Sequence, residues 1–221
     1  MKFNLSDYKH IIWDWNGTLF DDVELCAGTM NFLLRQESHP TISLKKYKEI
    51  FTFPVVDYYK IAGHTFAKNS FEVLGRQFMD EYEKKKLDCS LYPGAKELLK
   101  ELSDQNFTQH LLSAYEQGSL NKIVQYFGIK DYFKYIIGLD NIYASGKMQL
   151  GKNLLSLIRK NGKGEKILLV GDTTHDFEVA GELEIDCALI SHGHQDKERL
   201  QKHGVTVFDS FNELKARIQS K

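Results

Sequence analysis

The stretch Ile11-Ile12-Trp13-Asp14-Trp15-Asn16-Gly17-Thr18-Leu19-Phe20 decides how this chain is read. An apolar run there ends in a carboxylate and passes into a glycine-containing turn. In open α/β sheets, ligands bind outside the carboxyl ends of the strands, and a glycine lets the following backbone turn away sharply. Asp14 is therefore a candidate nucleophile. Asn16, two residues on, carries an amide that does not titrate.

Working outward, four short apolar runs ending in polar residues lie among helical patterns: Ile11 to Trp13, His110 to Leu112, Tyr135 to Ile137 and Ile167 to Val170. That alternation predicts a parallel sheet built from βα units. An edge strand is expected at Cys187 to Ile190, and a last short strand at Val205 to Phe208 precedes a helix over Asn212 to Ile218. The segment Pro93 to Leu102 reads as a helix with proline in its first turn, and Ser119 to Tyr126 and Leu150 to Arg159 read as helices too. From about Asp22 to Leu87 the patterns are amphipathic and helix-length, with several aromatics and no strand. The expected fold class is α/β: a Rossmann-like parallel sheet core from residues 1–20 and 88–221, with an inserted all-helical cap over 21–87. Within the insert, Phe51-Thr52-Phe53-Pro54-Val55 breaks the helices, either as a plain connection or as an aromatic lid over the site.

The 221 residues suffice for one core with an insert. A net charge of -1 supplies no electrostatic footprint for nucleic acid. Runs such as Ile167-Leu168-Leu169-Val170 are too short to span a bilayer, and Met1-Lys2-Phe3-Asn4 lacks the apolar region of a signal peptide. A cytoplasmic protein with no membrane partner is the expectation. Cys26, Cys89 and Cys187 are odd in number and far apart, which suits reduced core thiols better than disulfides or a zinc site.

Three further pieces bear on chemistry. In Leu168-Leu169-Val170-Gly171-Asp172-Thr173-Thr174-His175-Asp176 a second apolar strand ends in glycine and carboxylates. Mg²⁺ takes a few hard oxygens plus waters and phosphate, so Asp14, Asp172 and a backbone carbonyl suffice to hold it. Asp176 either holds a coordinated water or caps a helix through Phe177 to Leu183. In Leu111-Leu112-Ser113-Ala114 a strand ends in a hydroxyl that can bond a phosphoryl oxygen without adding charge, or cap the next helix. In Ser145-Gly146-Lys147 an ammonium at a loop can neutralise charge on a nucleophile and a transferred phosphoryl group. The loop Ser191-His192-Gly193-His194 has metal-like spacing but no nearby carboxylate or thiolate, and makes a poor site.

Taken together, these pieces resemble the haloacid dehalogenase-like hydrolase superfamily, in particular its phosphoglycolate phosphatase-like members with a helical cap. The likeness runs over nearly the whole chain. The Asp-x-Asp-Gly-Thr motif is matched by Asp14-Trp15-Asn16-Gly17-Thr18 except at its second Asp, the strand-ending hydroxyl by Ser113, and Gly-Asp-x-x-x-Asp by Gly171 to Asp176. The family lysine is matched by Lys147, with Lys152 competing; Lys147 follows the Gly146 loop and leaves Leu150 to Arg159 uninterrupted. The resemblance implies a phosphatase forming an aspartyl-phosphate on Asp14, with Mg²⁺ held by Asp14, the main-chain carbonyl of Asn16, Asp172 and Asp176. Thr18, Ser113, Ala114 and Lys147 would bind the phosphoryl group of a small phosphorylated metabolite. It also implies that Asn16 replaces the acid and base, a contribution of about 10² to 10⁴ in rate. Turnover on alkyl phosphates should then be slow and aryl or acyl phosphates better tolerated, unless His175, Asp21, Asp22 or His64 stands in. Specificity would rest on the insert, with Phe53, Tyr58, Tyr59 and His64 as candidates to line it. A phosphate-binding or regulatory module with little turnover is the alternative that Asn16 motivates.

Overall fold

A computed structural model describes residues 3–143, 146–161 and 164–218; Ser145 of the lysine-bearing loop lies outside them. In chain order the elements are β1 (His10–Trp13), β2 (Phe20–Asp21), α1 (Val23–Gln36), α2 (Leu44–Ile50), α3 (Val55–Ala62), α4 (Phe71–Lys85) and β3 (Ser90–Leu91). There follow α5 (Ala95–Asp104), β4 (Thr108–Glu116), α6 (Gln117–Tyr126), β5 (Phe133–Leu139), α7 (Lys147–Asn161) and β6 (Ile167–Gly171). The chain closes with α8 (Thr174–Glu182), β7 (Asp186–Ile190), α9 (Lys197–Gln201), β8 (Thr206–Phe208) and α10 (Phe211–Lys215).

Six strands form one sheet in the order β5-β4-β1-β6-β7-β8, and every pairing in it is parallel. Both faces are covered. The pleat sends Ile11 and Trp13 to the side packed by Leu98 and Leu99 of α5 and Ile123 of α6. Ile12 goes to the other side, where Leu154 and Ile158 of α7 meet Val179 of α8. Burial on both faces is why these strands read as apolar runs rather than as alternation. The fold is α/β, as its sequence pattern implies.

The four helices α1–α4 leave and rejoin the sheet through an antiparallel ribbon, in which Phe20 pairs with Leu91 and Asp21 with Ser90. Two-residue strands show no periodicity, so nothing in the sequence signals this ribbon. The aromatics Tyr47, Tyr58, Tyr59 and Tyr82 of the insert are buried and continuous with the core cluster that includes Trp15 and Phe20. No described helix is long and apolar enough to cross a membrane.

Some boundaries move. β4 runs to Glu116, well past the expected end at Leu112, because Glu116 still pairs with Leu139 after an irregularity in the ladder. Helix α7 begins at Lys147, so that lysine opens a helix rather than sitting in the preceding loop. Helix α5 begins after Pro93, with Gly94 at its cap, and α10 stops at Lys215, short of Ile218.

Candidate active site

The site is built where β1, β4 and β6 end. Asp14 extends β1 by donating its backbone N–H to Val170 (2.9 Å), which places its carboxylate beside the end of β6. Asp172 follows β6 and Asp176 lies in the first turn of α8. The carboxylates of Asp14, Asp172 and Asp176 are all buried, and an oxygen from each lies within 4.8 Å of the others. Lys147 donates to Asp14 Oδ1 and, at 2.6 Å, to Asp176 Oδ1. One ammonium thus serves two of three buried carboxylates.

Two glycines permit this crowding. A Cβ on Gly17, whose φ is +72°, would stand 2.4 Å from Asp172 Oδ2, and one on Gly193 would stand 2.1 Å from the same atom. The Asp172 carboxylate accepts from Thr18 Oγ1 (2.8 Å) and from the His194 backbone N–H (2.6 Å). Asp176 Oδ2 accepts from the N–H (3.0 Å) and hydroxyl (2.6 Å) of Thr173, closing a capping box at the start of α8. Asp176 therefore caps its helix and holds Lys147 with the same carboxylate.

Electrostatics follow from burial. Burial pushes Asp14 up to about 8, with Asp176 and Asp172 adding to the rise against the pull of Lys147. Burial likewise pushes Asp172 up to about 6, opposed by His194 and increased by Asp176. Burial also acts to raise Asp176, but Lys147 outweighs it and holds that group below the ordinary aspartate range. Such a cluster has more buried negative charge than its own partners neutralise. Hard oxygen donors in this state fit a divalent cation such as Mg²⁺.

Ser113 lies within β4, buried on the cavity wall, and its Oγ accepts from the Tyr115 N–H (3.0 Å). It caps no helix, since α6 is capped by Glu116. Thr18 is fully buried outside the residues that line the cavity, and its hydroxyl donates to Asp172 Oδ1 (2.8 Å) and faces Asp14 Oδ2 (3.3 Å), so it orders both carboxylates. The rival lysine, Lys152, has a side chain 52% exposed and sits 4.0 Å from Glu182 on the surface.

Asn16 is tied down. Its Nδ2 donates to Asp22 Oδ2 (2.7 Å) and to Tyr82 Oη (2.8 Å), while the Tyr82 hydroxyl also donates to Asp22 Oδ2 (2.8 Å). The other Asp22 oxygen accepts from the Gly17 N–H (3.0 Å) and faces His194 Nε2 (3.3 Å). His194 Nδ1 meets the Tyr47 hydroxyl (2.8 Å). Burial disfavours charge on both Asp22 and His194, yet each holds the other ionised: the aspartate lies below its usual range and the histidine above. This buried network was not foreseen as a unit. Its one signal in the sequence is the carboxylate at Asp22, six residues after the amide.

The other stand-ins for Asn16 fall elsewhere. His64 bonds Glu37 (2.7 Å) and packs on Tyr59, His175 stacks on Phe53 with ring centres 4.6 Å apart, and neither is in the cavity wall. Asp21 sits in the ribbon, where Tyr92 hydrogen-bonds it. His192 is a packing residue, stacked 3.6 Å from Tyr92 with Nε2 at the Thr18 carbonyl (3.0 Å).

A cavity of about 150 Å³ lies between this cluster and the insert. Its floor includes Asp14, Asn16, Ser113, Ala114, Lys147, Asp176 and His194; Phe51, Phe53, Tyr58 and Tyr59 wall it from the insert. The proline-containing loop thus faces the site, and the Phe51 carbonyl is held to the core by Gln195 (2.9 Å) and Arg199 (2.7 Å).

Residues 11–190 match the sequence profile of the haloacid dehalogenase-like hydrolases. The chain belongs to that family. It is an enzyme of the phosphoglycolate phosphatase-like kind: 25% identity over 218 residues, 95% of each chain, relates it to the phosphoglycolate phosphatase of Vibrio parahaemolyticus. A probable phosphatase of Dickeya dadantii is 24% identical, over 92% of this chain and 90% of its own. Among solved structures, a haloacid dehalogenase-like hydrolase from Streptococcus pneumoniae superposes with a TM-score of 0.81 at 18% identity, covering 97% of this chain and all of the other. Mycobacterium tuberculosis Protein Tyrosine Kinase A does so at 0.78 and 21% identity, over 95% of this chain and 97% of its own. At those identities the superpositions show the fold alone.

Proposed function

We propose that the chain is a Mg²⁺-dependent phosphatase that hydrolyses a small phosphomonoester through an aspartyl-phosphate on Asp14. The supporting observation is the meeting of Asp14, Asp176 and Lys147 at the floor of one cavity, with the carboxylate of Asp172 buried beside them. Asp14, the Asn16 main-chain carbonyl and Asp172 would hold the metal, with Asp176 acting through a water. When bound, Mg²⁺ supplies positive charge for the phosphoryl oxygens. The insert, residues 21–87, is the specificity-bearing cap.

In the first step the Asp14 carboxylate attacks phosphorus, the bond to the ester oxygen breaks, and the leaving oxygen departs as an anion that takes its proton from solvent. Water then splits the acyl phosphate and regenerates Asp14. Lys147 and Ser113 neutralise and bond the phosphoryl oxygens, with the Ala114 main chain beside them. Asn16 neither protonates the leaving oxygen nor takes a proton from water, so turnover on esters of poor leaving groups is slow.

Two measurements test this reading. Phosphate release is expected to need Mg²⁺, to fall about 10²- to 10³-fold in Lys147→Ala, and to stay unchanged in Lys152→Ala. Comparable losses in both lysine variants would assign the phosphate lysine wrongly. Metal stabilisation should depend on pH in a defined sense. Asp14 and Asp172 titrate above their ordinary value of 3.8, so the metal-free fold is favoured by their protonated forms and weakens as pH rises from about 3.8, through about 6 for Asp172 and about 8 for Asp14. Mg²⁺ binds the ionised forms, so its rise in Tm should grow across that range, reaching about 5–10 °C at 100-fold excess over Kd. A shift that is absent, or larger at pH 5.5 than at pH 8, would remove the metal site.

A further inference from the structure

Among the described residues, the insert side of the cavity is aromatic and carries no cation. Phe51, Phe53, Tyr58, Tyr59, Phe71 and Phe78 wall it, and Glu116 adds a carboxylate at the edge. Among the described residues, Lys147 and His194 are the cationic groups on the whole cavity wall. Both are committed: Lys147 to Asp14 and Asp176 on the floor, His194 to Asp22. A substrate with a second anion would have to bury it against rings with no ion pair, which is strongly unfavourable. Phosphoglycolate, named for several relatives, is such a compound, with a carboxylate beside its phosphate.

One polar feature does point to a ligand. Tyr58 is 2% exposed and lines the cavity, and its hydroxyl has no hydrogen-bond partner in the structure. A buried hydroxyl left unpaired costs free energy, and a polar atom of a bound molecule would satisfy it. Its ring is fixed edge-on against Tyr47, Phe51 and Tyr59, with centres 5.7, 5.2 and 5.9 Å away, so the hydroxyl is held in place.

Building on the phosphatase reading, we propose that the cap selects an aryl phosphate monoester: one phosphate, an otherwise uncharged aromatic group, and a polar ring substituent that hydrogen-bonds Tyr58. Hydrolysis breaks the P–O bond to the ring oxygen, water supplies the oxygen that phosphate gains, and a phenol is released. A phenolate with a pKa near 10 leaves without the proton donor that Asn16 does not supply. The apolar wall and the amide at Asn16, two separate features of the chain, thus favour the same class of substrate.

Aryl esters carry better leaving groups at any active site, so ligands that do not react decide the matter. With Mg²⁺ present, calorimetry of the whole protein should show benzylphosphonate binding at least about tenfold more tightly than 3-phosphonopropionate, which bears a carboxylate. 4-Hydroxybenzylphosphonate should bind more tightly still and lose about three- to tenfold in Tyr58→Phe, with benzylphosphonate unaffected by that change. Tighter or equal binding of 3-phosphonopropionate, together with hydrolysis of phosphoglycolate that is lost in Asp14→Asn, would overturn the substrate class and leave the phosphatase reading standing. Absence of binding by every phosphonate and of phosphate release from every ester would overturn both.

Discussion

Asp14→Asn is expected to lose at least about 10⁴-fold in phosphate release, a larger effect than that of either lysine substitution. The amide is nearly the same size as the carboxylate but cannot attack phosphorus, so no acyl phosphate forms. After an acid quench, phosphoryl label should remain on the wild-type chain and be missing from the variant. The fold should survive, because Lys147 keeps Asp176 as a partner at 2.6 Å and one of three crowded negative charges is removed. The metal-free Tm should be unchanged or higher, and its fall with rising pH shallower, since the group pushed up to about 8 is gone. Substantial turnover in a folded Asp14→Asn protein would move the nucleophile elsewhere.

Asn16→Asp is the second large effect, and its direction depends on a contact that the sequence does not display. Placing a carboxylate at position 16 looks like simple restoration of an acid. In the structure, however, the Asn16 amide donates to Asp22 Oδ2 at 2.7 Å, and Asp22 is fully buried. The substitution therefore sets two carboxylates against each other. Two charges at that spacing repel by about 6 kcal/mol at an effective dielectric near 20, and much less when they share a proton. A fall in Tm of about 5–10 °C is expected, with only partial gain in turnover. The double change Asn16→Asp with Asp22→Asn returns one amide and one carboxylate to the pair. It should recover most of the lost stability and raise hydrolysis of alkyl phosphates by up to about 10²- to 10⁴-fold, with much less gain on phenyl phosphate. Full rescue by the single substitution with no loss of Tm would show that the amide–carboxylate pair is not what holds this corner. If neither variant nor the wild type turns over, the phosphate-binding reading gains ground.

The parts of the site that lie at strand ends were readable in advance because a parallel sheet fixes where its strands point. Asp14 and Asp172 each follow an apolar run that ends there, and runs buried on both faces are among the clearest patterns a sequence offers; Ser113 follows one as well but lies inside β4, which continues to Glu116. Lys147 was less direct: it was read as a loop residue and instead opens α7, yet the Gly146 turn before it, with φ of +105°, brings it to the carboxylates all the same. The bonding of the Thr18 hydroxyl to Asp172 and Asp14 is not legible in the sequence, because one position in a turn does not reveal whether a hydroxyl faces a cavity or a neighbouring carboxylate.

What the sequence by itself determined is the α/β sheet, the helical insert, and the carboxylates of Asp14 and Asp172 after their apolar strands, all of which depend on local periodicity and chain direction. Only the tertiary structure decided what Asn16 does, since its partners Asp22 and Tyr82 and their neighbour His194 come from the N-cap of α1, α4 and the loop after β7. The same holds for the aromatic wall and the unpaired Tyr58 hydroxyl. Apolar and aromatic spacing in a helix is the same whether the face packs on a neighbour or closes a cavity, and the distinction arises only when the insert is placed over the sheet.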